Sequence, residues 1–360
     1  MNMSEKIKSH VDSCRFCWMC HHICPVGNAT GQERSTPRGR ALGISLVNRG
    51  AVDLSEIMDN IYECAGCGAC VRDCVTGWDP VMFTKETRLA AALENKLPAY
   101  IMTLVENCLT TGNAYAKTAV CPTLDEAIKA HAEKTDILLY LGVDARYEAC
   151  TQAVKAIRVL EKAGIAFTVL TDEAPSGAQL EFLIGAANET REMLATAAKQ
   201  LDGFKTVVVY DPADAKFFKQ TAKEYGVETK ASVVTFTSFL AKLITDGKLK
   251  AKKGDKTVVY QDPFQLARDL EETEEARAVI AAYAELHEMH LNRAETVWAG
   301  NILMAKYMPD AIRRVAERRI FNAKSIGEKV IVTASPSEYT ALKSAAKDVE
   351  ILSIEDLILA

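Results

Sequence analysis

From about residue 134 onward, apolar runs of four or five residues alternate with longer, charged, alanine-rich stretches in which apolar positions recur at helical spacing. A run that short, bounded by polar residues, is a buried strand, and the longer stretches are amphipathic helices that cover it. The pattern predicts strands over 137–141, 167–170, 206–210, 257–260 and 330–333, with helices over 146–163, 188–201, 213–225, 274–290 and 336–347. Strand and helix in alternation mean an α/β body with mainly parallel sheets. The body also repeats itself. Lys205-Thr-Val-Val-Val-Tyr-Asp-Pro212 and its helix align with Lys329-Val-Ile-Val-Thr-Ala-Ser-Pro336 and its helix, and Leu138-Leu-Tyr140 aligns with Val258-Val-Tyr260, at an offset of 120 to 124 residues. Two related lobes, 134–250 and 255–360, are expected on either side of the polar stretch 246–254.

The first hundred residues carry a different pattern, helical and without strand runs. Thr36 is placed to cap a helix that Pro37 opens, Ala41, Leu42, Ile44, Leu46 and Val47 supply its apolar face, and Gly50 closes it. A second helix is expected from near Leu54 into the cysteines that follow. Arg38 and Arg40 are read as surface ion-pairing residues. This gives an α-helical head over 1–100 and a connecting segment over 101–133.

The chain has 360 residues, 49% hydrophobic and 25% charged, and fits a globular protein of more than one domain. Its net charge of -5 argues against sequence-independent nucleic-acid binding, which needs a basic face. No apolar run approaches the roughly 18 residues of a bilayer helix, and the opening residues lack the apolar centre of a signal peptide. A cytoplasmic location is expected, at most peripheral to a membrane through a partner.

The cysteines change the picture. Of eleven, eight lie between residues 14 and 74, and none follows Cys150. They form two motifs of identical spacing, Cys14-x2-Cys17-x2-Cys20-x3-Cys24 and Cys64-x2-Cys67-x2-Cys70-x3-Cys74. Three thiolates at this spacing converge on one iron-sulfur cubane, while the fourth points away and ligates the other cluster in two-cluster ferredoxins. The expected ligands are Cys14, Cys17, Cys20 and Cys74 for one [4Fe-4S] cluster, and Cys64, Cys67, Cys70 and Cys24 for the second. Zinc also takes four thiolates, but its ribbons present two separated cysteine pairs. Pro25 after Cys24 helps turn that side chain away from its own motif, whereas Val75 follows Cys74.

Other candidates are weaker. His21 and His22 sit between ligands and could donate hydrogen bonds near sulfur or lie in solvent. Trp18, Met19 and Trp78 are read as shielding the clusters from water. His287-Glu288-Met289-His290 lacks metalloprotease spacing and is read as helix surface. Cys108, Cys121 and Cys150 are read as buried structural thiols. Neither a GxGxxG fingerprint nor a Walker A loop is present.

The four-cysteine motif followed by Pro, then Thr36-Pro-Arg-Gly-Arg40, a second four-cysteine motif and a duplicated α/β body, resembles one iron-sulfur family. That family includes the D-type subunit of heterodisulfide reductase, the C-type subunit of anaerobic glycerol-3-phosphate dehydrogenase and the lactate-utilisation proteins. The resemblance runs over nearly the whole chain. It implies Cys-Cys-Gly and Cys-Pro-x-Cys segments in each lobe, holding a further non-cubane iron-sulfur site in the heterodisulfide reductases. Here Pro175-Ser176-Gly177 and Trp298-Ala299-Gly300 stand for the first, and Asp211-Pro212-Ala213-Asp214 and Ser335-Pro336-Ser337-Glu338 for the second. Asp262-Pro263-Phe264 replaces Asp-Pro-Cys. Such side chains are poor substitutes for soft thiolates, so disulfide reduction in the body is not expected.

The reading that follows is an electron-transfer subunit with no catalytic residues of its own. Two [4Fe-4S] clusters would pass single electrons between a flavin-containing dehydrogenase or electron-transferring flavoprotein and a further acceptor. The resemblance adds a membrane- or quinone-linked acceptor as a further partner. The alternatives are a reductase with a metal site rebuilt in the body, and a scaffold whose clusters are redox-silent.

Overall fold

The computed structural model describes residues 4–15 and 17–360. Residues 1–3, part of the opening stretch considered above, lie outside the described residues. The α/β body holds two sheets in which every pairing is parallel. The first contains β1 (Ile137–Tyr140), β2 (Thr206–Val209) and β3 (Ser232–Thr235), in the order β1-β2-β3. The second contains β4 (Thr257–Gln261), β5 (Glu285–His287), β6 (Val330–Thr333) and β7 (Glu350–Ser353), in the order β5-β4-β6-β7. Thr168 bridges Leu138 on the free side of β1, as β5 pairs with β4. The two sheets therefore share one plan, and the duplication read from the sequence is present in the topology.

Strand prediction succeeded where burial was deepest. β1, β2 and β6 begin half-exposed and continue with three buried residues, the near-continuous apolar pattern of a sheet covered on both faces. β3 and β7 were missed because their residues are partly exposed and make no apolar run. The strand expected over 167–170 shrinks to the Thr168 bridge, since Arg146 takes the carbonyls of Leu170 (3.0 Å) and Thr171 (2.8 Å). The helix expected over 274–290 stops at Tyr283; Glu285–His287 pairs with β4 instead, a tertiary choice that overrides local propensity. His287 is thus a strand residue, with Nδ1 2.7 Å from Glu328, rather than helix surface.

One apolar core runs through both lobes, from Leu139 and Val208 to Val258 and Val332, with the helices Phe236–Thr245 and Glu275–Tyr283 packed together across it. The head has its own core around Ile44, Leu54, Met58, Ile61, Tyr62 and Phe83, which Leu180 and Leu183 of the body helix Ala178–Ile184 complete. Thr36 caps Pro37–Asn48, its hydroxyl accepting from Gly39 N at 3.2 Å, as the sequence predicts. Of that helix's apolar residues, Ala41 and Ile44 are buried, but Leu42 and Leu46 point to solvent. Leu54–Tyr62 follows, closed at its start by an Asp53/Glu56 capping box. Among the described residues no helix is long and apolar enough to cross a membrane.

Candidate metal centres

Each cysteine motif is built from a short helix entered through a left-handed residue. In the second motif Gly66 and Gly68 have φ of +66° and +71°, and Gly68 leads into Ala69–Arg72. In the first, Trp18 at φ +68° occupies the equivalent place and leads into Met19–Ile23. The turn sets three cysteines around one recess, and glycine meets its backbone demand with no steric cost. Trp18 meets it without glycine, with the Arg38 guanidinium 4.2 Å over its ring. Cys24 ends the first motif and caps Pro25–Thr30, so its side chain is carried away from Cys14, Cys17 and Cys20.

The eight thiols gather in two recesses. Cys24, Cys64, Cys67 and Cys70 line one, and Cys14, Cys17, Cys20 and Cys74 line the other. Among the described residues no three Cys, His, Asp or Glu side chains close on a point as they would around one ion. Four thiols around each recess, three from one motif and the fourth from the other, suit the crossed ligation of a two-cluster ferredoxin. Backbone N–H groups aim at the sulfurs: Gly66 N at Cys64, Gly27 N at Cys24 and Trp78 N at Cys74, each 3.4 Å away. These donors favour thiolate charge, and the residues present fit iron-sulfur centres.

The two recesses differ in exposure. Cys24, Cys64, Cys67 and Cys70 are all buried, whereas Cys17 is exposed and Cys14, Cys20 and Cys74 are half-buried. Trp78 is buried beside the outer recess, its indole N–H donating to His10 O at 2.9 Å. Trp18 and Met19, expected to shield the clusters, are 44% and 45% exposed, and Val75 is 82% exposed. His21 turns to Glu33, with Nε2 3.3 Å from its carboxylate.

Arginines surround the inner recess. Arg40, read above as a surface residue, is 2% exposed, donates to Ser35 O at 2.8 Å and lines the recess with Cys24, Cys64 and Cys70. Its burial would lower its pKa, but those thiolates raise it well above the ordinary value. Burial pushes the Cys64 thiol up, yet Arg40 and Arg88 together hold it below its usual range. Burial lifts Cys67 to about 11 against the opposing pull of Arg268, and lifts Cys20 to about 11 with help from Cys14. The spacing of Arg40, three residues into a capped helix whose Ala41 and Ile44 are core, was the available signal that it points inward.

Two further arginines fix the loop. Arg88 donates to Cys64 O (2.7 Å), Ile61 O (3.2 Å) and Phe182 O (2.7 Å), tying the head to the body. Arg268, from the body, reaches Cys67 O, Thr296 O and Ala294 O.

Residues 10–78 match the family model of the 4Fe-4S dicluster domain. The D-type subunit of the dihydromethanophenazine:CoB--CoM heterodisulfide reductase of Methanosarcina acetivorans is 26% identical over 371 residues, spanning 93% of this chain and 89% of its own. The corresponding proteins of Methanosarcina mazei and Methanosarcina barkeri are each 25% identical over 375 residues, with the same coverage. The chain is a homologue of the D-type heterodisulfide reductase subunits. It is an iron-sulfur redox subunit that carries 4Fe-4S clusters.

Compared with that family's pattern, the body positions without cysteine also come together. Asp211, Asp214, Phe264, Trp298, Gly300, Ser335 and Glu338 line one chamber beside the inner recess. Asp262 is not free to ligate: it takes a two-point ion pair from Arg277 (2.7 and 2.9 Å) and the Arg293 N–H at 2.9 Å. Cys108 is buried as expected. Cys121 and Cys150 are only half-buried, and they meet each other, the Cys150 thiol also donating to Arg146 O at 3.1 Å.

Proposed function

We propose that this chain holds two [4Fe-4S] centres and relays single electrons between a flavin-containing dehydrogenase or electron-transferring flavoprotein and a further acceptor. Cys14, Cys17, Cys20 and Cys74 would hold the outer centre, and Cys24, Cys64, Cys67 and Cys70 the inner one. The carrying observation is the pair of four-thiol recesses, one with Cys17 exposed and the other with all four thiols buried. An exposed centre can meet a protein partner; an enclosed one cannot. A [4Fe-4S] group supplies one-electron steps with little reorganisation.

The chain's own residues do the rest. The N–H groups of Gly27, Gly66 and Trp78 stabilise charge on sulfur, Arg40 offsets the charge of the inner site, and Trp78 excludes water from the outer one. The head over 1–100, the connector over 101–133 and the lobes over 134–250 and 255–360 form the working units, in the cytoplasm, with any membrane contact made by a partner. A metal site rebuilt in the body has less support, because Asp262 is held by Arg277 and Phe264 and Trp298 have no ligand atoms.

Iron and acid-labile sulfide counts on anaerobically purified protein test the reading, with about eight of each per chain expected for two cubanes. Cys67→Ala should lower both to about four and stop transfer from a reduced flavoprotein donor. A zinc-loaded, iron-free protein, or undiminished transfer in the variant, would refute it.

A further inference from the structure

A chamber of about 130 Å³, partly open to solvent, lies where the second cysteine motif meets the two lobes, with Ala65 and Gly66 in its lining. Four aromatic residues line it: Phe182, Phe217, Phe264 and Trp298. Five carboxylic residues line it as well, Glu181, Asp144, Asp211, Asp214 and Glu338, and the last three are almost completely buried. The lysines of the lining balance only Glu181 among them. Lys85 is paired with Glu181 and Lys216 with Asp269, each at 2.7 Å.

The polar contacts of the other four acids come from neutral groups. Asp144 accepts from Tyr115 Oη (2.5 Å), Gln179 Nε2 (2.7 Å) and Ser337 Oγ (2.7 Å). Asp211 accepts from Ala213 N at 2.8 Å, and Asp214 from Ser176 Oγ. Glu338 takes Gln261 Nε2 on one oxygen at 3.0 Å; its other oxygen, Oε1, has no hydrogen-bond partner although the residue is 2% exposed. Arg319 reaches Gln261 rather than Glu338 itself. Buried carboxyl groups without a counter-ion are costly, and the molecule responds by holding protons on them. Burial lifts Asp214 to about 7, with Asp144 and Glu173 adding to the rise and the Ser176 hydroxyl opposing it. It lifts Glu338 to about 8, with Asp262 adding while Gln261, the Ala299 backbone and Arg319 oppose. Asp211 is raised by burial and then by Asp144 and Asp214.

We propose that this chamber binds a small organic ammonium ion, from a primary to a quaternary amine, against its carboxylates and aromatic walls. Aromatic faces attract such cations most strongly when water is excluded, and a compact set of carboxylates supplies the counter-charge. The aromatic walls offer a bare metal ion no oxygen ligands, so an organic cation suits the chamber better. The site is independent of whether the neighbouring centres change redox state. Binding a cation draws the acids into their charged form, so protons leave as the ligand enters.

The test is calorimetric titration of the anaerobic holoprotein with choline and with its uncharged isostere 3,3-dimethyl-1-butanol. Iron is counted on the same sample, so a failure of the relay reading shows as missing iron and a failure of this site as missing heat. Choline should bind saturably at one site per chain, at least about tenfold more tightly than the isostere, and should release protons that differ in heat between Tris and phosphate buffers. Asp211→Asn keeps the helix cap, Glu338→Gln keeps the shape, and each should weaken binding by at least about tenfold in protein shown to be folded by circular dichroism. No saturable heat, equal binding of the isostere, or unchanged affinity in both variants would overturn the proposal.

Discussion

Replacing Arg40 with Met removes a positive charge from the inner recess while keeping most of the side-chain volume. The guanidinium is buried, sits with Cys24, Cys64 and Cys70, and is anchored on Ser35 O at 2.8 Å. A unit charge about 6 Å from a centre, at the effective dielectric of about 20 that suits protein interiors, is worth about 3 kcal/mol. That is about 120 mV for a one-electron couple. Because the charge favours the more negative, reduced form, its removal should lower the potential of the inner centre by about 100 mV and leave the outer one in place. The assay is a redox titration followed by electron paramagnetic resonance, with Arg40→Lys as the control that keeps the charge. An upward shift, no shift, or equal shifts in both centres would refute the reasoning. So would an Arg40→Lys protein that behaves like Arg40→Met.

Three further outcomes are expected. Arg88→Met leaves the carbonyls of Cys64, Ile61 and Phe182 without their buried donor and should cost about 3 kcal/mol or more in urea unfolding of the holoprotein. A loss under about 1 kcal/mol would mean that Arg88 does not join head to body. Gly300→Ala should destabilise by about 2 kcal/mol or more: Gly300 has φ +109°, and an added Cβ would lie 2.9 Å from both Ala341 Cβ and Ile312 Cγ2; an unchanged melting temperature would contradict this. Asp214 binds its proton more tightly folded than unfolded, so its contribution is full below about pH 4 and is lost as pH rises toward its folded value of about 7. Asp214→Asn should therefore gain stability relative to the parent between about pH 5 and pH 8, by about 2 to 4 kcal/mol. A difference independent of pH would show that Asp214 is charged in the folded chain.

Local sequence determined the features set by short-range geometry. Identical cysteine spacings, each around a left-handed turn, fix which three thiols face together, and Pro25 after Cys24 sends the fourth elsewhere. Deeply buried strands such as β2 and β6 and the Thr36-Pro37 helix start were legible because burial and capping write their own residue patterns. Tertiary structure decided the rest. The half-exposed β3, β5 and β7 exist through pairing with neighbours distant in sequence, against weak or contrary local propensity. Arg40 is an inward charge because four thiols from two motifs close around it. Asp211, Asp214 and Glu338, which looked like scattered departures from a cysteine pattern, share a chamber only because the two lobes bring their helix starts together beside the head. Residues more than a hundred positions apart meet there, and no local period records such a meeting.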